Sequence, residues 1–253
     1  MRGEFEFGVK SGGQSFTVTF HLPPVAKVAL LSITEEAEST LAIVTRGYTQ
    51  VYSEYIDVEE EQKMLDQIQR TQLQTPLEFV HTSWLIQNVS RAWTHQAVRT
   101  RVGASFVQES LRFADKRSAG VLVSPDIWAS AQSRNMYIES SLDAFKTYGD
   151  LIEAGVPIQD ARGVLPHNVL TNMFAGYSLS ALSGIARKRY CCQAQHTGDG
   201  EGEWDSVLDQ MREQLSPGLR RFVCPPWEVP GMKDCHFGAS FDRPCKWPER
   251  FQR

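Results

Sequence analysis

No apolar run in this sequence approaches the roughly 20 residues that cross a membrane, and its first residues lack the charged-then-apolar pattern of a secretory leader. A cytoplasmic protein with no membrane partner is expected. Excess positive charge is missing too: a formal net charge of -4 and a pI near 5.9 argue against a nucleic-acid partner, which needs an extended basic surface. Cysteine is sparse, five in 253 residues, and an odd count does not suit a disulfide framework. Cys191 and Cys192 are adjacent and cannot easily bridge each other. Cys224, Cys235 and Cys245 fall with His236 in a Pro/Gly-rich tail, but their separations miss the roughly two to four residues between paired zinc ligands. Free thiols, and no metal, are expected. Several catalytic templates are also absent: GxSxG, HExxH, a Walker-type glycine loop, and GxGxxG after a strand.

What is present is a core. With 42% hydrophobic and 22% charged residues, the chain can bury the interior of one large domain or two small ones. There is no internal repeat, low-complexity tract or long linker. The economical expectation is one α+β domain over 1–218 with an irregular Cys- and Pro-containing extension over 219–253.

Ser15 to Phe20 alternates polar and apolar side chains as a half-exposed strand does, and the apolar run from Val25 to Ile33 predicts a second. Beyond Glu35 helical signals dominate. Glu59, Glu60 and Glu61 precede Met64, Leu65 and Ile68, which favours a helix start. Trp84, Leu85, Val89 and Trp93 have helical spacing and predict a helix that leads to Gln96 and Arg99 on one face, giving way to a loop or strand around Val102 to Val107. The stripe Leu142, Phe145, Tyr148, Leu151 and Ile152 predicts an amphipathic helix stopped by Gly155 and Pro157. After Leu165-Pro166, the series Val169, Met173, Phe174, Tyr177, Ala181 and Ile185 predicts a long helix ending in Arg187-Lys188-Arg189. Val207, Leu208, Met211 and Leu215 predict a last one, ended by Pro217-Gly218.

Chemistry concentrates between Arg99 and Arg112. Arg99, Arg101 and Arg112 stand among Thr100, Ser105, Gln108, Glu109 and Ser110, and planar forked guanidiniums suit phosphate and carboxylate. Arg162 and Arg189 lie in separate segments. If all five converge, they hold one multiply anionic ligand or two different ones.

The segment Thr94-His95-Gln96-Ala97-Val98-Arg99-Thr100-Arg101, continuing to Gln108-Glu109-Ser110-Leu111-Arg112-Phe113, resembles the signature of the flavin-dependent thymidylate synthases: Arg-His-Arg, seven residues, Ser, then Arg-Tyr. A second stretch, with Leu151-Ile152-Glu153-Ala154-Gly155-Val156-Pro157 and Ala161-Arg162-Gly163-Val164-Leu165-Pro166, is similar to that family's helix and Ala-Arg-x-Val-Leu-Pro turn. The resemblance implies a mixed or antiparallel sheet flanked by long helices and a homotetramer in which several subunits build each site. It implies FAD as cofactor, NADPH and methylenetetrahydrofolate as co-substrates, and transfer of a one-carbon unit to C5 of dUMP, giving dTMP. No cysteine nucleophile is needed.

Carried over by position, the resemblance assigns Arg99, Thr100 and Arg101 to the flavin. Gln96, Gln108, Glu109, Ser110, Arg112, Arg162 and Arg189 fall to the pyrimidine deoxynucleotide monophosphate, with Ser110 and Arg189 as the catalytic pair. The chain departs from the pattern in places. Thr100 replaces the central histidine, Phe113 the final tyrosine, and eight residues rather than seven separate Arg101 from Ser110. Ser178, Ser180 and Gly184 stand where the family has Asn, Arg and Asn, and Phe79 where it has His. Two alternatives follow: a relative that acts on dUMP or dCMP and installs another group such as hydroxymethyl, and a non-catalytic nucleotide-binding oligomer.

Overall fold

The N-terminal strand β1 (Glu4–Ser11) runs into Gly12 and Gly13, whose φ values of 50° and 91° make the tight return that β2 (Gln14–His21) needs. The two pair antiparallel from Glu4 opposite His21 to Ser11 opposite Gln14. The computed structural model describes residues 3–192, 194 and 202–232. Next come β3 (Lys27–Ile33), α1 (Ala37–Arg46) and α2 (Val58–Thr71). Asp57 caps α2, accepting the Glu60 amide at 2.8 Å, and the acidic first turn suits the positive end of the helix dipole.

Then follow β4 (His81–Ser90), α3 (Arg91–Ala97), β5 (Ala104–Gln108), β6 (Gly120–Leu122), α4 (Pro125–Trp128), α5 (Ala131–Glu153) and α6 (Ile158–Ala161). The chain continues through β7 (Leu170–Ser178), α7 (Leu179–Arg189), α8 (Glu203–Gln214) and α9 (Pro217–Arg220). Strands fall into two sheets, of order β1-β2-β6 and β3-β4-β7-β5. Because β6 pairs parallel to β2 while β1 is antiparallel, the first sheet is mixed. The fold is α+β, as expected.

Two predicted helices are in large part strands. In β4, Thr82, Trp84 and Ile86 are buried while His81, Ser83 and Leu85 are not, an alternation with period two. Asn88, at φ 57°, interrupts it, after which Val89 and Ser90 are both buried. In β7, Met173, Ala175 and Tyr177 are buried and Phe174 is exposed. Only Leu179–Arg189 of the predicted long helix is helical, and Ser178 starts it by accepting the Ala181 amide at 3.2 Å. Spacings of four residues are compatible with both periods, and pairing within the sheet β3-β4-β7-β5 decides for strand. The helices expected around Leu142 to Ile152 and Val207 to Leu215 are α5 and α8.

The described residues group into two units interleaved in sequence, 3–27 with 86–99 and 107–173, and 28–85 with 100–106 and 174–232. The stretch 1–218 contributes to both, and the described part of the extension, 219–232, belongs to the second. In the first unit Val9, Val18 and Phe20 meet Val121, Val123, Phe145 and Val169 in one core, and the Ser11 hydroxyl ties the strand to α5 through Asp150 Oδ1 at 2.6 Å. In the second unit α1 packs on α2 and α7 on α8. There the edge strand β3 has no strand neighbour on one side among the described residues, and α8 supplies partners instead: Gln210 accepts the Val28 amide at 3.0 Å and Gln214 the Leu30 amide at 2.8 Å.

Candidate active-site cleft

In the first unit, Ser90 ends β4 and caps α3, its hydroxyl accepting the Trp93 amide at 3.0 Å. The first two amides of α3 are also satisfied by the backbone: Arg91 N donates to Val169 O at 3.0 Å and Ala92 N to His167 O at 3.1 Å. Those two bonds bind the helix start to the turn before β7. Arg91 and His95, four residues apart on one face of α3, thereby meet Arg162 and His167 from that turn.

Together with Leu111, Leu165 and Pro166 they line a cleft of about 330 Å³. The His95 and His167 rings meet edge to face with centroids 5.2 Å apart. Arg162 Nε donates to Gln159 O at 3.0 Å, and Arg91 Nη1 reaches Glu109 O at 3.5 Å. Burial lowers the Arg91 pKa and so does the Arg162 charge, with Glu109 pulling the other way. The His95 pKa lies below its ordinary value because of burial and then His167, Arg91 and Arg99.

Of the residues assigned to the nucleotide, Gln96, Gln108, Glu109, Ser110, Arg112 and Arg162 belong to this unit, and Arg162 lines the cleft. Gln108 Nε2 donates to Thr94 Oγ1 at 2.8 Å, which ties β5 to α3. Glu109 turns inward: Oε1 accepts from Lys116 Nζ at 2.7 Å, and Oε2 lies 3.3 Å from the Asn172 amide and 3.4 Å from the Thr171 hydroxyl. The Ser110 hydroxyl accepts the Arg112 amide at 3.2 Å, and the Arg112 guanidinium, exposed, lies over the Phe113 ring at 5.4 Å. Leu111, between those two, is the buried member of the segment that reaches the cleft. Gln96 and Arg99 are joined by a turn, Arg99 N donating to Gln96 O at 3.2 Å, but Arg99 lies past the end of α3.

Thr100, Arg101 and Arg189 belong to the second unit. The Arg189 guanidinium lies over the Trp204 indole at 4.9 Å, and burial lowers its pKa. The Arg99 and Arg101 side chains are both exposed and form no hydrogen bond or ion pair with another described residue, so each has donors that fit the phosphates of a dinucleotide such as FAD. Cys235, His236 and Cys245 lie outside the described residues. Cys224 is a buried free thiol, and among the described residues no group of His, Cys, Asp and Glu is arranged to hold a metal ion.

Arg91, His95 and His167 were not singled out in the sequence. Arg91 and His95 stand four apart at the end of a run read as core helix, and His167 directly follows Leu165-Pro166. Basic residues one helical turn apart, the second of them inside the segment Thr94 to Arg101, were the available signal.

The family described as thymidylate synthase complementing protein matches residues 29–216. A flavin-dependent thymidylate synthase of Geobacter sulfurreducens is 32% identical over 176 residues, 67% of this chain and 75% of that protein. Another, of Sulfolobus acidocaldarius, is 30% identical over 213 residues, 79% and 77% of the two chains. The crystal structure of a UMP/dUMP methylase, PolB from Streptomyces cacaoi bound with 5-Br dUMP, shares the fold: its TM-score is 0.63 at 18% identity, covering 78% of this chain and 94% of that one.

Proposed function

The chain belongs to the flavin-dependent thymidylate synthase family, and from that membership we propose that it transfers the one-carbon unit of methylenetetrahydrofolate to C5 of dUMP, giving dTMP. The observation that carries the reading is the cleft of the first unit, where Arg162, from the Ala-Arg-x-Val-Leu-Pro turn, and Leu111, from the Ser-x-Arg motif, line the same space. Two motifs far apart in sequence thus meet at one cavity. A nucleotide monophosphate carries close to two negative charges near neutral pH, and forked guanidiniums both neutralise and orient it.

In this reading Arg162 holds the phosphate. Ser110 and Arg112 bind the same nucleotide, and Gln108 and Glu109 fix the segment that carries them, the former through Thr94 and the latter through Lys116 and Asn172. Gln96 and Arg189 contact the nucleotide, with Ser110 and Arg189 nearest the reacting ring. Arg99, Thr100 and Arg101 bind the FAD. Bound flavin would supply reducing equivalents drawn from NADPH. The protein's own contribution is to fix the pyrimidine against it and to stabilise developing negative charge. The working form is a cytoplasmic homotetramer, with 1–218 as the catalytic body and 219–253 as an appendage.

A second reading rests on the departures. Thr100 replaces the signature histidine, and the Ser178 hydroxyl, at a position where the family carries asparagine, is committed to capping α7. A different cofactor arrangement could install hydroxymethyl on dUMP or dCMP. Incubating the purified protein with each nucleotide, methylenetetrahydrofolate and NADPH, then weighing the product, decides between them. The expected result is a yellow protein and the mass gain of one methyl group on dUMP. A colourless protein that takes up no FAD, or a different mass gain, overturns thymidylate synthesis.

A further inference from the structure

A second cavity in the first unit, of about 280 Å³, shares no lining residue with the cleft. Its walls come from Glu4 and His21 at the open end of the hairpin, from the chain that follows β2, and from Asn88 in β4. All of these except Asn88 precede residue 29, where the match to the family begins. None belongs to the two motifs that suggested nucleotide binding.

The polar groups of this cavity are largely unengaged. Asn88 holds a left-handed backbone, φ 57°, and Asn172 Oδ1 steadies it by accepting the Asn88 amide at 3.1 Å. The Asn88 carboxamide itself makes no hydrogen bond with another described residue. Neither does the Lys27 ammonium, which is exposed and has no ion pair among those residues. Glu4 Oε1 lies 3.2 Å from the buried His21 Nδ1, but the two are not aligned as a hydrogen bond, and the Glu4 side chain is 69% exposed. One ammonium, one carboxylate and one carboxamide therefore line the same space with bonds left to make.

We propose that this cavity binds an apolar α-amino acid of about leucine's size: Lys27 and the Asn88 carboxamide take its carboxylate, Glu4 takes its ammonium, and Leu22, Pro24 and Val25 pack against its side chain. No covalent bond changes. The size fits, because at about 30 Å³ for each water of the liquid the space holds about nine non-hydrogen atoms, as many as leucine carries. The charges fit too. A simple anion is repelled by Glu4 and a simple cation by Lys27, whereas a zwitterion satisfies both. Glycine would hold the backbone at position 88 without strain, so what asparagine adds there is its carboxamide, and the cavity is where that group is unengaged.

Calorimetric titration of the full chain with L-leucine, isocaproate and isoamylamine tests the pairing of charges. Leucine should bind, and the two analogues, which lack its ammonium or its carboxylate, should each bind at least about tenfold more weakly. Lys27→Met and Asn88→Gly should each weaken leucine binding by about tenfold or more. Asn88→Gly should do so without lowering the melting temperature, because glycine suits the left-handed backbone, so the loss cannot be put down to unfolding. No leucine binding, an analogue that binds as tightly as leucine, or undiminished affinity in either variant overturns the proposal. Titration with dUMP keeps the two sites apart. Leucine binding by a chain that fails to bind dUMP keeps this site and removes the nucleotide reading, and the reverse removes only this site.

Discussion

Glu109 and Lys116 face each other across the bend that follows β5, with Oε1 and Nζ 2.7 Å apart and their side chains 27% and 10% exposed. The pair fixes the segment that carries Ser110, Leu111 and Arg112, because Glu109 also reaches Thr171 and Asn172. Glu109→Ala leaves a largely buried ammonium without its partner. It should cost about 2 kcal/mol, less than a fully buried pair because Glu109 is partly wet. Lys116→Met should cost less than that. Urea unfolding of both variants checks the order, and equal losses would mean that the carboxylate contributes nothing beyond its pairing with the ammonium.

Arg112→Ala and Arg189→Ala should each weaken dUMP binding by roughly 1.5 to 3 kcal/mol, the loss of a charge-assisted hydrogen bond. Arg112 is exposed, so its loss should leave the melting temperature nearly unchanged. Arg189 also lies over Trp204, so Arg189→Lys, which keeps the charge, should recover part of the affinity but not the stacking. Undiminished dUMP affinity in both alanine variants would remove these arginines from the nucleotide site.

Arg99→Ala should lower the flavin content of the purified protein, read as the ratio of flavin absorbance near the visible band to protein absorbance. The Arg99 side chain makes no hydrogen bond or ion pair that folding would miss. A variant that retains full flavin occupancy would place the cofactor elsewhere.

Gly103 sits at φ 65°, and a Cβ there would come within 2.3 Å of the Ser178 hydroxyl that caps α7. Gly103→Ala combines left-handed backbone strain with displacement of that cap, so it should destabilise the chain by about 2 kcal/mol. Ser178→Ala isolates the cap and should cost about 1 kcal/mol. A fully stable Gly103→Ala would show that Ser178 moves aside freely.

Burial, helped by Glu228, pushes the Cys224 thiol above its ordinary pKa, so its thiolate fraction at pH 7 to 8 is smaller than that of free cysteine. Alkylation followed by peptide mass mapping should find Cys224 unmodified in the native protein and modified once guanidinium is added. Rapid native labelling of this residue would mean that the segment around it opens.

The parts of the fold that were legible in the sequence are those where one period excludes the other. The stripe of α5, from Leu142 to Ile152, fits no strand, and Ser15 to Phe20 fits no helix. The spacings of Leu85 and Val89, or of Met173 and Tyr177, satisfy both patterns, and pairing with neighbouring strands that lie far away in sequence decides what the local spacing leaves open. The same limit applied to the cleft. Arg162 was visible through its motif, whereas Arg91, His95 and His167 acquire a common purpose only once two backbone hydrogen bonds draw α3 onto the turn before β7.

Those two bonds run from main chain to main chain, so they are indifferent to what residues 91, 92, 167 and 169 carry as side chains. Architecture and selectivity are thereby decoupled at this spot. A lineage can exchange the groups around the hollow, and with them the molecule it suits, while the framework that spaces them is inherited untouched.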